Sequence, residues 1–221
     1  MVVRRCHIYD IATNGVYAKG GPFNCIIEQC LIRNCGSSGA MLGQSTDDTF
    51  FDTVANPDYY ENIDGTVRNC IILNTGGAGI AAQAALRPKF YNNTCVNVSQ
   101  TMNGGMYMAA SAHPPGNVGC VDATFVNNII VIGAASARPV VFIAPNGHSG
   151  TLTMNNNRYH DAGGAGAYWD ENTGTFASYA LAVWKTTLGV DASSTEGDPL
   201  LTASYHLAAG SPCIDAGMTV P

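Results

Sequence analysis

Apolar positions along this chain recur at strand spacing, and they recur inside one repeated phrase. Residues 67–81 read VRNCIILNTGGAGIA, with Val67, Ile72 and Ile80 separated by a polar Arg68-Asn69 pair, Cys70 and a glycine-rich bend. Anchored on Cys70, the phrase occurs six times, centred on Cys6, Cys30, Cys70, Asn93, Asn128 and Asn157. Three residues before the anchors stand Val3, Ile27, Val67, Phe90, Phe125 and Met154, and two residues after them stand Ile8, Ile32, Ile72, Cys95, Ile130 and Tyr159. The residue just before each anchor is polar: Arg5, Gln29, Asn69, Asn92, Asn127 and Asn156. Four residues after the anchors the column is Asp10, Asn34, Asn74, Asn97, Ile132 and Asp161, polar in five of six copies.

Each copy runs on into a third short apolar stretch: Val16-Tyr17, Ala40-Met41-Leu42, Gly79-Ile80-Ala81, Met106-Tyr107-Met108, Val140-Val141-Phe142 and Ala167-Tyr168-Trp169. Bends such as TNG, GSSG, TGGAG, NGG and AGGAG precede most of them. Strand periodicity with β-branched residues and glycine excludes helices inside the unit. Anchor spacing varies from 23 to 40 residues, and the variation falls in the loops. A solenoid behaves this way, stacking its coils at roughly 4.8 Å and expelling insertions outward. The expected fold is all-β: a right-handed parallel β-helix of about six coils and three parallel sheets, with an asparagine ladder at the tight bend. Asparagine suits that bend because it tolerates left-handed backbone and its amide reaches the next coil. Cysteine stands there instead in Cys6, Cys30 and Cys70, read as a buried thiol stack; a disulfide between adjacent coils is the other reading, made awkward by parallel side-chain directions.

Composition narrows the function classes. Charged residues make up 12% of the 221 and the net charge is −6, so no basic stripe exists to neutralise nucleic-acid phosphates. No apolar run approaches the ~20 residues of a membrane span, so membrane insertion is not expected. The start MVVRRCHIYD has no signal-peptide pattern. The eight cysteines contain no CxxC pair, which argues against a zinc site. The stretches NNT at 92–94 and NVS at 97–99 match glycosylation acceptors but fall on coil positions.

After Trp169 the pattern changes. Residues 178–190 place Leu181, Val183, Trp184 and Leu188 at helical spacing before the stop signal Gly189. There follow Asp191, Ser194, Asp198-Pro199-Leu200, Tyr205-His206-Leu207 and Gly210-Ser211-Pro212, then Ile214-Asp215-Ala216-Gly217. With the six coils, this tail resembles the pectate-lyase-like right-handed β-helix proteins, including bacterial surface and secreted ones. The resemblance implies one domain over 1–221, with coils at 1–169 and a C-terminal helix and closing segment at 170–221 that caps the last coil. It also implies an extracellular or cell-surface location and a polysaccharide partner. The chain begins inside a coil, with Val3 and Ile8 already in register. The expectation is therefore a missing N-terminal cap, met by a longer β-helix or by end-to-end self-association.

Family members bind or cleave polysaccharides along a groove on one sheet walled by loops. The long loops here, 43–66, 82–89, 109–124 and 144–151, all follow the third strand. Seven residues after Ala40, Ile80 and Met106 stand Asp47, Arg87 and His113, with His148 at nearly that offset in the fourth loop. A uronate lyase would use Arg87, Lys89 or His113 as base, with Asp47, Asp48 or Asp52 neutralising the substrate carboxylate, Ca²⁺ being a possible but not required cofactor. A hydrolase would need two carboxylates, from Asp47-Asp48 and Asp58 or Asp122. The expected set is Arg87, His113 and Asp48 for catalysis, Tyr107, Tyr17, Lys89 and His148 for substrate, and Asp47 and Asp52 for a metal. Tyr17, Met41, Ala81, Tyr107, Val141 and Tyr168 are read as the outward row of the third sheet. Its tyrosines either stack on sugar rings or lie under the 43–66 loop with Phe50-Phe51 and Tyr59-Tyr60. The competing class is a non-catalytic adhesin or phage tail-type glycan binder, or the C-terminal fragment of a larger β-helix.

Overall fold

A computed structural model describes residues 1–113, 116–163 and 167–221. Gly164, Ala165 and Gly166 of the AGGAG bend lie outside the described residues. The chain is a parallel β-helix in which the repeat columns become rows. In the first sheet Val3, Ile27, Val67, Phe90, Phe125 and Met154 stand in register from coil to coil. In the second sheet Ile8, Ile32, Ile72, Cys95, Ile130 and Tyr159 do the same. From the second coil to the sixth these rows are buried, and the Phe90 and Phe125 rings stack at 4.6 Å. Burying each such side chain contributes about 1.5–3 kcal/mol, which is what holds a solenoid with so few charges together.

The tight bend between these sheets divides two tasks that the sequence pattern assigns to one asparagine. The left-handed backbone belongs to the residue before the anchor: Arg5, Gln29, Asn69, Asn92, Asn127 and Asn156 all have φ between 51° and 59°. The ladder belongs to the anchor itself, inside the coil. Asn93 Nδ2 donates to Asn128 Oδ1 (3.0 Å) and Asn128 Nδ2 to Asn157 Oδ1 (3.2 Å). Each also donates to a first-sheet carbonyl of the preceding coil, Val67 for Asn93 and Phe90 for Asn128. Cys30 and Cys70 stand in the same row, and their thiols face the corresponding carbonyls of Val3 and Ile27 at 3.7 and 3.8 Å. All eight cysteines are free thiols in the structure.

A second bend carries an outer ladder, in which Asn34 donates to Asp10, Asn74 to Asn34 and Asn97 to Asn74. It stops after Asn97 because the next coil drops one residue: Ile132 pairs with Val98. That explains the one apolar member of the column. Beyond this bend the coil closes so tightly that a side chain on Gly79 would meet the Cys95 sulfur at 2.6 Å.

The third sheet runs through Val16–Ala18, Ala40–Leu42, Ile80–Gln83, Met106–Ala109, Val141–Ile143 and Tyr168–Asp170. Its last two strands sit one residue out of the expected register. Val141 and Tyr168 pair with the inward Met106 row, and Phe142 and Trp169 join the outward Tyr107 row. Val140, Val141 and Phe142 are all apolar, so alternation alone cannot fix which one faces in. The long loops add a fourth short sheet, made of Asn62–Ile63, Ala85–Leu86, Cys120–Val121 and His148–Ser149.

Helix α1, Leu181–Leu188, closes the last coil, with Leu181 and Trp184 buried and Gly189 ending it at φ 68°. Asp191, fully buried, terminates the inner ladder: it accepts bonds from Asn157 Nδ2, Tyr159 Oη, Trp184 Nε1 and Ser194 Oγ. Within the segment 170–221, α1, Asp191 and Ser194 are the parts that stand at the end of the inner ladder. The tail instead runs back along the outside of the coils, where Asn156 donates to the Ala216 carbonyl (2.9 Å) and Asn127 to that of Met218 (2.8 Å).

Candidate functional site

The loops after the third strand form a polar corner around the fourth sheet. Asp64, Arg87 and Asp122 follow in-register residues of that sheet, each at positive φ. Arg87 grips Asp64 with two bonds, Nε to Oδ1 at 2.8 Å and Nη2 to Oδ2 at 2.6 Å, and Lys89 lies 3.7 Å from the same carboxylate. The Arg87 bond holds the Asp64 carboxyl below the usual range, and Asp64 in turn raises the pKa of Arg87. The pairing favours the charged form of both groups. His148 is half-buried, and burial pushes its pKa down despite the charges of Asp122 and Asp170. Its Nε2 is buried with no partner among the described residues, out of reach of a polymer.

The acidic loop spends its groups on itself. Asp47 Oδ1 accepts from the backbone and hydroxyl of Thr49, capping the short turn Asp48–Phe50. Asp52 accepts from the backbone amides of Val54 and Ala55. Buried Glu61 accepts from Thr46 N, Thr46 Oγ1 and Gly20 N, pinning the loop to the first coil. Among the described residues no cluster of three or more His, Cys, Asp and Glu side chains could hold a metal ion. His113 ends the strand Ser111–His113, and its side chain lies outside the described residues. Arg87 and Lys89 are brought together through Asp64, with Asp122 close enough to act on Arg87. Asp47 and Asp52 serve their own loop.

The outer face of the third sheet is different in character. Its row reads Tyr17, Met41, Ala81, Tyr107, Phe142 and Trp169 in register. Tyr107 packs on Met41, Ala78 and Ala81. Beyond it aromatic rings follow coil by coil, Tyr107 to Phe142 at 5.5 Å, Phe142 to Trp169 at 5.8 Å and Trp169 to Phe176 at 5.4 Å. Within the 43–66 loop, Phe51 and Tyr59 pack on each other at 5.4 Å. Cations lie over rings at both ends of the row: Arg138 is 4.8 Å from the Trp169 centroid and Lys19 is 5.7 Å from that of Tyr17. A carbonyl bond to Asn103 fixes Arg138 in place (2.9 Å).

Tyr17 and Tyr107 were legible as outward residues. Phe142 and Trp169 were missed because the register of the last two strands was ambiguous, and Arg138 and Phe176 because they lie outside the repeat columns. The signal that could have found the first two is the pair of bulky rings ending VVF and AYW.

No curated protein matches the chain. A family model described as the right-handed beta helix region matches residues 1–178. By this match, and with its parallel coils in register, the chain belongs to the right-handed β-helix family.

Proposed function

We propose that this protein binds a polysaccharide lengthwise along the outer face of its third sheet, without cleaving it. The observation that carries the reading is the continuous row Tyr107, Phe142, Trp169 and Phe176, one ring following another at 5.4–5.8 Å. Aromatic faces take the apolar C–H faces of sugar rings, and a row along the solenoid axis repeats the contact as a polymer repeats its sugars. Arg138 and Lys19 beside the row favour sugars that carry carboxylates, which a guanidinium grips in two places. Binding is favoured over cleavage because Arg87 is paired, His148 has its free nitrogen buried, and Asp47 and Asp52 cap their own loop.

Calorimetric titration with a panel of neutral and uronate-containing oligosaccharides tests this. Binding is expected for at least one uronate oligomer, weakened roughly tenfold or more by Trp169→Ala. Unsaturated products and new reducing ends should both be absent. Silence across the panel, or undiminished binding by the variant, would overturn the proposal, and product formation would replace it with a lyase or hydrolase.

A further inference from the structure

A second groove lies on another side of the solenoid, beneath the C-terminal tail. It encloses about 540 Å³ between the left-handed bend column, Asn69, Asn92, Asn127 and Asn156, and a wall that includes Tyr205 and Pro212. It continues into a further 490 Å³ past Gln29 and Leu31. This is the size of a ligand site, and its shape is that of a channel crossing several coils.

From it we infer that the groove is a docking site for an extended peptide, whose backbone the asparagine column reads. The chain displays the binding mode on itself. Asn127 Oδ1 accepts the Met218 N–H at 2.9 Å while its Nδ2 donates to the Met218 carbonyl at 2.8 Å. Those are the two bonds a neighbouring β-strand would make to that residue. One coil away Asn156 Nδ2 donates to the Ala216 carbonyl at 2.9 Å. The tail thus advances two residues per coil, against the order in which the coils stack.

Past Met218 the same column continues to Asn92 and Asn69. Asn92 receives Asn127 Nδ2 on its Oδ1 at 3.0 Å, while its own Nδ2 has no partner among the described residues. The Asn69 amide has none on either atom, and both residues line the groove. Their φ angles are 54°, so the left-handed bend fixes where each amide stands before anything binds. The floor beside them is the in-register row Ile71, Thr94 and Ile129, suited to small or β-branched side chains. Among the described residues the groove lining holds Arg158 and no carboxylate, so an uncharged peptide fits it better than a basic one. Backbone recognition of this kind is strand addition, performed by a ladder of side-chain amides in place of a sheet edge.

The probe is the uncharged peptide acetyl-Thr-Val-Thr-Val-Thr-amide, added to the full chain and followed by the side-chain amide NMR signals of Asn69 and Asn92. Those signals are expected to shift on titration. Asn69→Asp with Asn92→Asp keeps residues that tolerate positive φ but removes the donors, and should weaken binding roughly tenfold or more. N-methylating both valines should abolish binding. Equal binding by the methylated peptide, or no shift at Asn69 and Asn92 up to millimolar peptide, would overturn the inference. So would an oligosaccharide moving those signals where the peptide does not. None of these outcomes bears on the aromatic face, which lies on the third sheet.

Discussion

Cys70 and Asn93 occupy the same place in successive coils, and the chemistry of that place accounts for both. It needs a small buried group facing the carbonyl of the coil before, and it forbids a side chain that leaves that carbonyl alone. Asparagine meets the need with an amide that continues to the next coil, and cysteine with a weak thiol donor. Burial pushes the Cys70 thiol up to about 12 and Cys120 up to about 11, so neither forms the reactive thiolate near neutral pH. A thiol-reactive dye should therefore label exposed Cys6 and half-buried Cys213 in the native protein and the other six cysteines only after denaturation. Rapid labelling of more than two, or disulfides found by mass spectrometry, would contradict the stack. The row was legible in sequence because each anchor keeps the same apolar neighbours. The division of labour between Asn92 and Asn93 was not, because two adjacent polar residues give periodicity no means of telling bend from ladder.

At the scale of elements, the first two strands of every coil were readable because their inward residues stand at fixed offsets from the anchor, three before it and two after it. The third strand follows a bend of varying length and has no such fixed offset; in VVF and AYW three apolar residues left two registers open, and the candidate face was hidden with them. The end of the solenoid depends on a single carboxylate. Asp191 gathers four side-chain donors, so Asp191→Ala strands several buried polar groups at once. The expected loss is about 3 kcal/mol or more, read from urea denaturation; a loss below about 1 kcal/mol would remove Asp191 from its place as ladder terminator. The polar corner is weaker. The Arg87–Asp64 pair is partly exposed, and such pairs contribute about 0–1 kcal/mol. Asp64 has its pKa lowered in the fold, so this contribution is full above the ordinary aspartate range and is lost as pH falls through the lowered value. Arg87→Met should bring the Asp64 pKa up, measured by carboxyl NMR titration; an unmoved titration would show that the pair does not hold.

At the scale of the molecule, the two ends differ. The C-terminal end is sealed by α1, with Trp184 at 0% exposure. At the other end Val2–Arg4, His7–Ile11 and Val16–Ala18 stand at the edges of their sheets, and Val3, Ile8, Ile11 and Val16 are only half-buried. Edges of this kind invite further strands. No helix among the described residues is long and apolar enough to cross a membrane. The repeat pattern locates the third sheet but not the geometry of the loops beyond it. Asp47 and Arg87, which share an offset in sequence, are drawn into a cap and an ion pair by their own neighbours, whereas the outward row is fixed by the pairing of the coils.

The chain has two tryptophans, Trp169 on that row and Trp184 in the core. The most direct measurement follows their two indole N–H signals by NMR while a bound uronate oligosaccharide is titrated to saturation. The expected result is that the Trp169 signal moves with the binding curve and the Trp184 signal stays. A saturated complex in which Trp169 does not move would contradict it.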